Sequence, residues 1–157
     1  MDVKLRWRLE NFTKTTLHKA WVLWYMFKAC KTLLKRAVMH DVSKYSNAEA
    51  PYFARSIGEL RDLKYGSPEY MEGIGRLGPA LTHHYENNSH HPEHYGAISI
   101  MSPLDRIEML CDWKAASKRH RTGDMAQSLD VNRKRFKTRS SWVHDGLKSD
   151  AEEIGLM

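Results

Sequence analysis

Cysteine is scarce: Cys30 and Cys111 are the only two in 157 residues, each inside a helical pattern and without CxxC spacing. This excludes a disulfide scaffold and a zinc knuckle, and the expectation is two reduced, buried thiols. Long hydrophobic runs are missing as well. None approaches the roughly 18 consecutive apolar residues of a membrane span, and the Ala20 to Ala29 run is short and flanked by Lys19, Lys28 and Lys31. The opening Met-Asp-Val-Lys-Leu-Arg-Trp-Arg has neither the apolar region nor the cleavage site of a secretory signal. A cytoplasmic protein with no membrane partner is expected. Sustained period-two alternation, internal repeats and low-complexity tracts are also absent, so strands are not expected and the fold class is all-α.

Of the residues present, 41% are apolar and 28% charged. That composition and length support one domain with a full hydrophobic core, a single bundle of about six or seven helices spanning 1–157. A net charge of +6 is compatible with nucleic acid, an anionic small substrate or a merely basic surface. The nine histidines say more. His18, His40 and the block His83, His84, His90, His91 and His94 hold seven of them.

Thr13 to Asp41 reads as one long helix or two abutting ones, with Leu17, Trp21, Trp24, Tyr25 and Lys28 at helical spacings. Ser46-Asn-Ala-Glu49 reads as a capping box, followed by the stripe Ala50, Phe53, Ala54, Ile57, Leu60 toward Leu63. Ser67-Pro68 is an N-cap followed by an N1 proline. The helix it starts runs to about Tyr85, with interruptions at Gly73, Gly75, Gly78 and Pro79. Asn87 to Gly96 is rich in turn formers and reads as a loop. Ser102-Pro103 repeats the cap signature for a helix with Leu104, Ile107, Cys111 and Ala115 on one stripe, ending near Arg119. After a turn at Thr122-Gly-Asp, a basic C-terminal region over 124–157 holds helices from about Met125 to Lys137 and from about Trp142 to Ile154. Trp7, Trp21, Trp24 and Trp113 are read as core. Tyr52, Tyr85 and Tyr95 lie near the motifs and are read as pocket residues.

The chemistry gathers around Val38-Met-His40-Asp41-Val-Ser-Lys44. His40 extends the Leu33/Ala37 stripe and Asp41 the Leu34/Ala37/Val38 stripe, so both are expected to point inward. A buried carboxylate without a partner costs several kcal/mol, whereas one on a divalent cation is stabilised. Further donors come from other helices: His18, His83 or His84, and Asp112. His83 and His84 lie about 100 degrees apart on a helix, and His84 shares its face with Leu77 and Leu81, which makes it the better ligand. Asp105 and Glu108 share the Asp112 face and read as helix N-terminal and surface carboxylates, Asp105 alternatively as a partner to a ligating histidine. Mixed imidazole and carboxylate donors suit Fe, Mn, Zn, Ni or Co rather than Mg or Ca. One or two such ions are expected.

The order His, His-Asp, His, Asp on successive helices resembles the HD-domain superfamily of metal-dependent phosphohydrolases. His40-Asp-Val-Ser-Lys44 resembles the HDxxK form of its motif, His83-His-Tyr-Glu86 the HHE element of the HD-GYP branch, and Arg106 to Arg119 that branch's closing helix. His18-x-x-Trp21-Val, HDxSK with Glu49 and Tyr52 behind it, and Asn88-x-His90-His91 are similar to a small phage and bacterial HD-like family. The similarity covers roughly 17–119. It implies one metal on His18, His40, Asp41 and Asp112, with Asp41 bridging to a second held by His84 and His90 or His91. The Gly-Tyr-Pro tripeptide of the HD-GYP branch is absent, with Pro92-Glu93 in its place, which argues against cyclic dinucleotides. The carboxylate of HDxxE nucleotidases is missing too, with Lys44 in the neighbouring position.

The expected function is hydrolysis of a nucleotide or small phosphate ester. Asp41 orients or deprotonates the attacking water, and Lys44 contacts phosphate. Asn88 and Tyr52 are substrate-side candidates, and His83, His90 and His91 are candidates for the second metal or for substrate. The same ligands would serve an HD-fold di-iron oxygenase. A non-catalytic nucleotide- or nucleic-acid-binding protein, using the basic residues of Asn132 to Arg139, is the third reading; a solvated helix face is the plainer account of that stretch.

Overall fold

The computed structural model describes residues 3–64, 66–118, 124–136 and 141–157, apart from the side chains of Ile57 and Ser141. Within these residues the chain is all-α. It forms two compact units, Met1–Met39 and His40–Met157.

The first unit is one helix, α1 (Val3–Met39). It begins ten residues before the expected Thr13 and is a single piece. The Thr13 and Thr32 hydroxyls bond back to the carbonyls of Leu9 and Lys28 one turn earlier, which lets a threonine sit inside a helix. α1 has no buried residue. Trp7, Trp21 and Trp24 are therefore exposed, against the expectation of core, because a single helix taken by itself has no second element to bury large side chains against. No helix among the described residues is long and apolar enough to cross a membrane.

The second unit opens with a 3-10 turn, Val42–Tyr45, followed by α2 (Ala50–Leu60), α3 (Pro68–Gly75), α4 (Pro79–Asn87), the single turn α5 (Pro92–Tyr95), a 3-10 turn Ile98–Ile100, α6 (Pro103–Ser117), α7 (Met125–Arg135) and α8 (Ser141–Glu153). Among the described residues there are thus eight α-helices, against the six or seven expected. The two additions have local causes. The Pro68 to Tyr85 segment divides at Gly78, whose φ of 51° is a backbone state that glycine adopts without strain. Pro79 then restarts a helix as its first residue. The expected loop contains α5 because Pro92 likewise supplies an N1 residue.

Ser67 and Ser102 cap α3 and α6 by accepting the amides of Tyr70 and Asp105, and Asp124 caps α7 by accepting Gln127 N–H. Each such cap stabilises a helix start by about 1 kcal/mol. The Thr122-Gly123 half of the turn expected before α7 lies outside the described residues, as do Arg119 and Lys137, the expected last residues of α6 and α7.

The core lies where α6, α7 and α8 pack together. Met109 and Leu110 of α6 are fully buried against Trp113, Met125, Leu129, Leu147, Ala151, Ile98 and Met101. Burying a side chain of this size contributes roughly 1.5–3 kcal/mol. α6 therefore has one face fixed in the core, and the carboxylates on its other side, Glu108 and Asp112, are held in place by it. Gly66 packs closely on α7: a Cβ there would sit 2.8 Å from Val131 Cγ2. Cys30 and Cys111 are free thiols and both are exposed, not buried as expected.

Candidate metal centre

His40 and Asp41 follow the end of α1, so the helical stripes that were to aim them do not reach them. A backbone reversal does. Asp41 has φ 56° and ψ 18°, the left-handed region, and is the one described non-glycine residue with positive φ. Asp and Asn enter this region at lower cost than other side chains, and strained residues of this kind concentrate at functional sites. The turn that follows is closed by Lys44 N–H on the Asp41 carbonyl at 2.9 Å.

Around Asp41 four imidazoles and a second carboxylate converge. Asp41 Oδ2 lies 3.4 Å from His40 Nε2, and His40 Nε2 lies 3.6 Å from Asp112 Oδ1. The other oxygen, Oδ1, lies 3.3 Å from His84 Nε2 and 3.4 Å from His90 Nε2. His84 Nε2 and His91 Nε2 are 2.9 Å apart. Asp41 Oδ1 and His90 Nε2 are buried and make no hydrogen bond.

The outer nitrogens explain why the inner ones converge. His40 Nδ1 donates to Glu108 Oε1 at 2.9 Å, and His90 Nδ1 lies 3.1 Å from the same oxygen. His84 Nδ1 donates to Glu49 Oε2 at 2.9 Å, and His83 Nδ1 to Glu49 Oε1 at 2.7 Å. A carboxylate on Nδ1 fixes the tautomer that leaves the Nε2 lone pair facing inward, the arrangement found behind metal-ligating histidines. Glu49 is fully buried. It does not close the expected capping box with Ser46; its side chain turns inward to two imidazoles. Glu108, four residues before Asp112 on α6, is not the surface carboxylate expected.

The loop carrying His90 and His91 is pinned at both ends. Asn88 donates to Ser43 Oγ at 2.6 Å and to the His84 carbonyl at 2.8 Å. Asp105, buried at the start of α6, accepts hydroxyls from Ser89, Tyr95 and Ser102 at 2.6, 2.7 and 2.5 Å. Asp105 therefore holds the loop through these hydroxyls, and Asn88 is engaged with protein groups.

The charges respond to this crowding. Burial pushes the Asp41 carboxyl up, but the imidazoles of His40, His84 and His90 and the Lys44 ammonium outweigh it and hold the group far below the usual range. Asp112 and Asp41 raise His40 to about 11, with Glu108 adding to the rise against burial. His91 is depressed to about 3, mainly by burial and then by His90 and His84. Asp112 and Glu49 are both lowered: burial raises each, and is outweighed by His40 at Asp112 and by His83, Ser43 and His84 at Glu49.

The donors group into Asp41, His84, His90 and His91; His40, Asp41 and Asp112; and His40, His90 and Glu108. In the third, Glu108 meets the Nδ1 atoms, so it supports the ligands instead of completing a shell. The first two share Asp41, one group on each oxygen. Two donors each about 2.1 Å from one ion stand about 3.0 Å apart at a right angle and about 3.4 Å apart at a tetrahedral angle. The observed 2.9, 3.3 and 3.4 Å match these spacings. With two buried atoms lacking hydrogen bonds, the donor set fits a divalent ion.

Lys44 Nζ contacts Asp41 Oδ2 at 2.5 Å and lies 5.0 Å from the Phe53 ring centroid. It stands where a cavity of about 320 Å³ meets the cluster. His84, His91 and Asp112 contribute to that cavity's walls together with Leu77, Leu81, Tyr85, Glu93, Trp113, Arg135 and Phe136. Tyr85 is thus a pocket residue. Tyr95 serves Asp105, and Tyr52 is exposed and does not line the cavity. His18 is exposed on α1, in the first unit. The second unit by itself supplies all the donors in the three groups.

Glu49 and Glu108 were missed as ligand supports because each also fits a common local role, a cap or a helix-surface charge. The four-residue spacing of Glu108 and Asp112 was the available signal. Over residues 8–154 the chain matches the family of unknown function DUF5662, and it belongs to that family. No curated protein and no solved structure matches it.

Proposed function

We propose that the protein is an HD-like metal-dependent phosphohydrolase, acting on a nucleotide or another small phosphate ester with one or two transition-metal ions. The observation that carries this reading is the double orientation of the histidines. His40, His84 and His90 are each held at Nδ1 by a carboxylate while their Nε2 atoms converge on the two oxygens of Asp41.

A divalent ion in such a site lowers the pKa of water toward neutrality and polarises a phosphoryl oxygen. The chain's own residues do the rest. Asp41, kept ionised, accepts a proton or orients the nucleophile. Lys44, between Asp41 and the cavity, supplies positive charge for the phosphate. Glu49 and Glu108 keep the imidazoles from turning. The cavity beside the cluster receives the organic part of the ester.

The sharing of Asp41 between two donor groups favours a pair of ions, and a pair would also serve oxidation by dioxygen at a di-iron centre. Metal analysis of purified protein and a phosphatase screen across nucleotides and simple esters test the reading. Expected is bound Fe, Mn, Zn, Ni or Co with turnover of at least one ester, and loss of both in Asp41→Ala. Iron-loaded protein that consumes dioxygen and hydrolyses nothing would instead support the oxygenase. Metal content unchanged in His40→Ala and Asp41→Ala would overturn both.

A further inference from the structure

The cavity beside the donor cluster has a polar end that the hydrolytic reading does not use. Glu93 Oε1 accepts from Arg135 Nη2 at 2.5 Å, and the same Arg135 nitrogen donates to the Tyr85 hydroxyl at 2.7 Å. Glu93 Oε2 is buried and has no hydrogen-bond partner. The remaining walls include Leu77, Leu81, Trp113 and Phe136. The last two rings stack, 6.2 Å between centroids and 8° between planes.

We propose that Glu93 is a specificity-determining residue, accepting a hydrogen bond from an N–H group on a flat nitrogen heterocycle that forms the organic part of the substrate. This rests on the reading of the cluster as a phosphohydrolase site only for the phosphate that the heterocycle carries.

Three arguments select this class. At about 320 Å³ the cavity is near the lower end of the roughly 300–1,000 Å³ typical of ligand pockets, so it takes one ring system and not a polymer. A wholly apolar group, such as an alkyl chain, would leave the buried Glu93 Oε2 without a donor, and an unpaired buried acceptor is costly. A polyol would have the opposite fault, setting hydroxyls against Leu77, Leu81 and Phe136. A flat heterocycle puts its faces on the apolar walls and its N–H edge on the carboxylate. Arg135 lies beside that carboxylate as a donor for an adjacent ring nitrogen or carbonyl.

The discrimination follows from leaving a charged acceptor unpaired. A ring without the N–H loses a charge-assisted hydrogen bond, and about ten- to hundredfold in affinity is expected.

The test is calorimetric titration of the full chain with adenosine, guanosine and cytidine, which offer N–H donors, and with purine riboside, which has the ring without the amino group. Binding of at least one of the first three, tenfold or more above purine riboside, with the difference abolished in Glu93→Met, which has no oxygen acceptor, is the expected result. Failure of all three to bind, equal binding of purine riboside, or discrimination retained in Glu93→Met would each overturn the proposal. The comparison of ligands in wild type needs no variant, so a folding defect in Glu93→Met cannot hide the outcome. Ester hydrolysis is measured on the same preparation. Hydrolysis without discrimination removes this inference alone, and discrimination without hydrolysis of any ester removes the phosphohydrolase reading.

Discussion

Replacing Glu108 by Gln removes one negative charge while keeping the shape of the side chain that holds two ligands. Glu108 Oε1 accepts from His40 Nδ1 at 2.9 Å and lies 3.1 Å from His90 Nδ1, and a glutamine carbonyl can keep both contacts. Contacts to a charged acceptor contribute about 1 kcal/mol more than neutral ones, so losing the charge on two of them weakens ligand support by about 2 kcal/mol. At 1.4 kcal/mol per decade this is about a thirtyfold loss of metal affinity, inside the roughly 10–100-fold range for residues that support metal ligands. A smaller effect opposes it. Glu108 also raises His40, so Gln lowers the affinity of that imidazole for the proton that competes with the ion. Both pH 7 and pH 9 lie well below the His40 value of about 11, so this relief is nearly the same at the two and the net loss is expected to be the same as well. Chelator competition at both pH values measures it, with Asp145→Ala on α8, exposed and outside the cluster, as the control. Affinities of Glu108→Gln and wild type within twofold at both pH values would refute the orienting role.

Lys44→Met is expected to keep its metal and lose turnover at least tenfold, because Lys44 meets Asp41 Oδ2 and the cavity but is no metal donor; metal analysis beside ester hydrolysis separates the two effects. His84→Ala should lower two bound ions to one, read by metal titration, and a single ion in both proteins would mean that Asp41 does not bridge. His40 is raised from 6.5 to about 11 in the ion-free chain, so filling its donor group at pH 7 displaces its proton, and about one His40 proton released per chain should appear in titrations run in buffers of different ionisation enthalpy. The same shift sets the pH dependence of ion-free stability. The contribution of His40 is complete below about pH 6.5 and is lost as pH rises toward 11, so melting temperatures of chelated protein should fall across that window if other groups are corrected for. Asp41→Gly and Asp41→Ala should both lose metal, but Gly should be the more stable ion-free protein by about 1 kcal/mol, since φ is 56° at this position; equal melting temperatures would argue against strain there.

Caps and prolines made much of the fold legible. Ser67-Pro68 and Ser102-Pro103 start α3 and α6 where the residue pattern puts them, because the chemistry of a cap is complete within four residues. α1 was less legible. Its first described residue, Val3, lies ten residues before the expected Thr13, and nothing local says which side of the Ala20 to Ala29 run is to be covered. At the centre, His40, Asp41, His84, His90, His91 and Asp112 were all readable as candidate donors because they come from a short list of side chains able to ligate. Which nitrogen each imidazole presents was not readable. That depends on Glu49 and Glu108, which lie 34 and 68 residues from the histidines they hold, His83 and His40. The Glu93 and Arg135 pair spans 42 residues and was hidden for the same reason. Local pattern reports a residue's capacity, and tertiary contact decides its use.

Asp41 joins the two donor groups through its backbone as much as through its carboxylate. Had α1 continued one turn further, the 3.6-residue period would have fixed the direction of Asp41 relative to His40, and the two would have faced about 100 degrees apart. The helix ends at Met39 and Asp41 takes the left-handed state, so Oδ2 meets His40 and Lys44 while Oδ1 meets His84 and His90. Such a conformation costs of order 1 kcal/mol for a residue with a Cβ, and glycine would remove that cost. Glycine has no carboxylate. A residue kept in an unfavourable backbone state, with one of its buried oxygens lacking a hydrogen bond, is stable only because the surrounding histidines and lysine compensate its charge. A cation would satisfy that unpaired oxygen, and the free energy of its binding would offset the backbone strain.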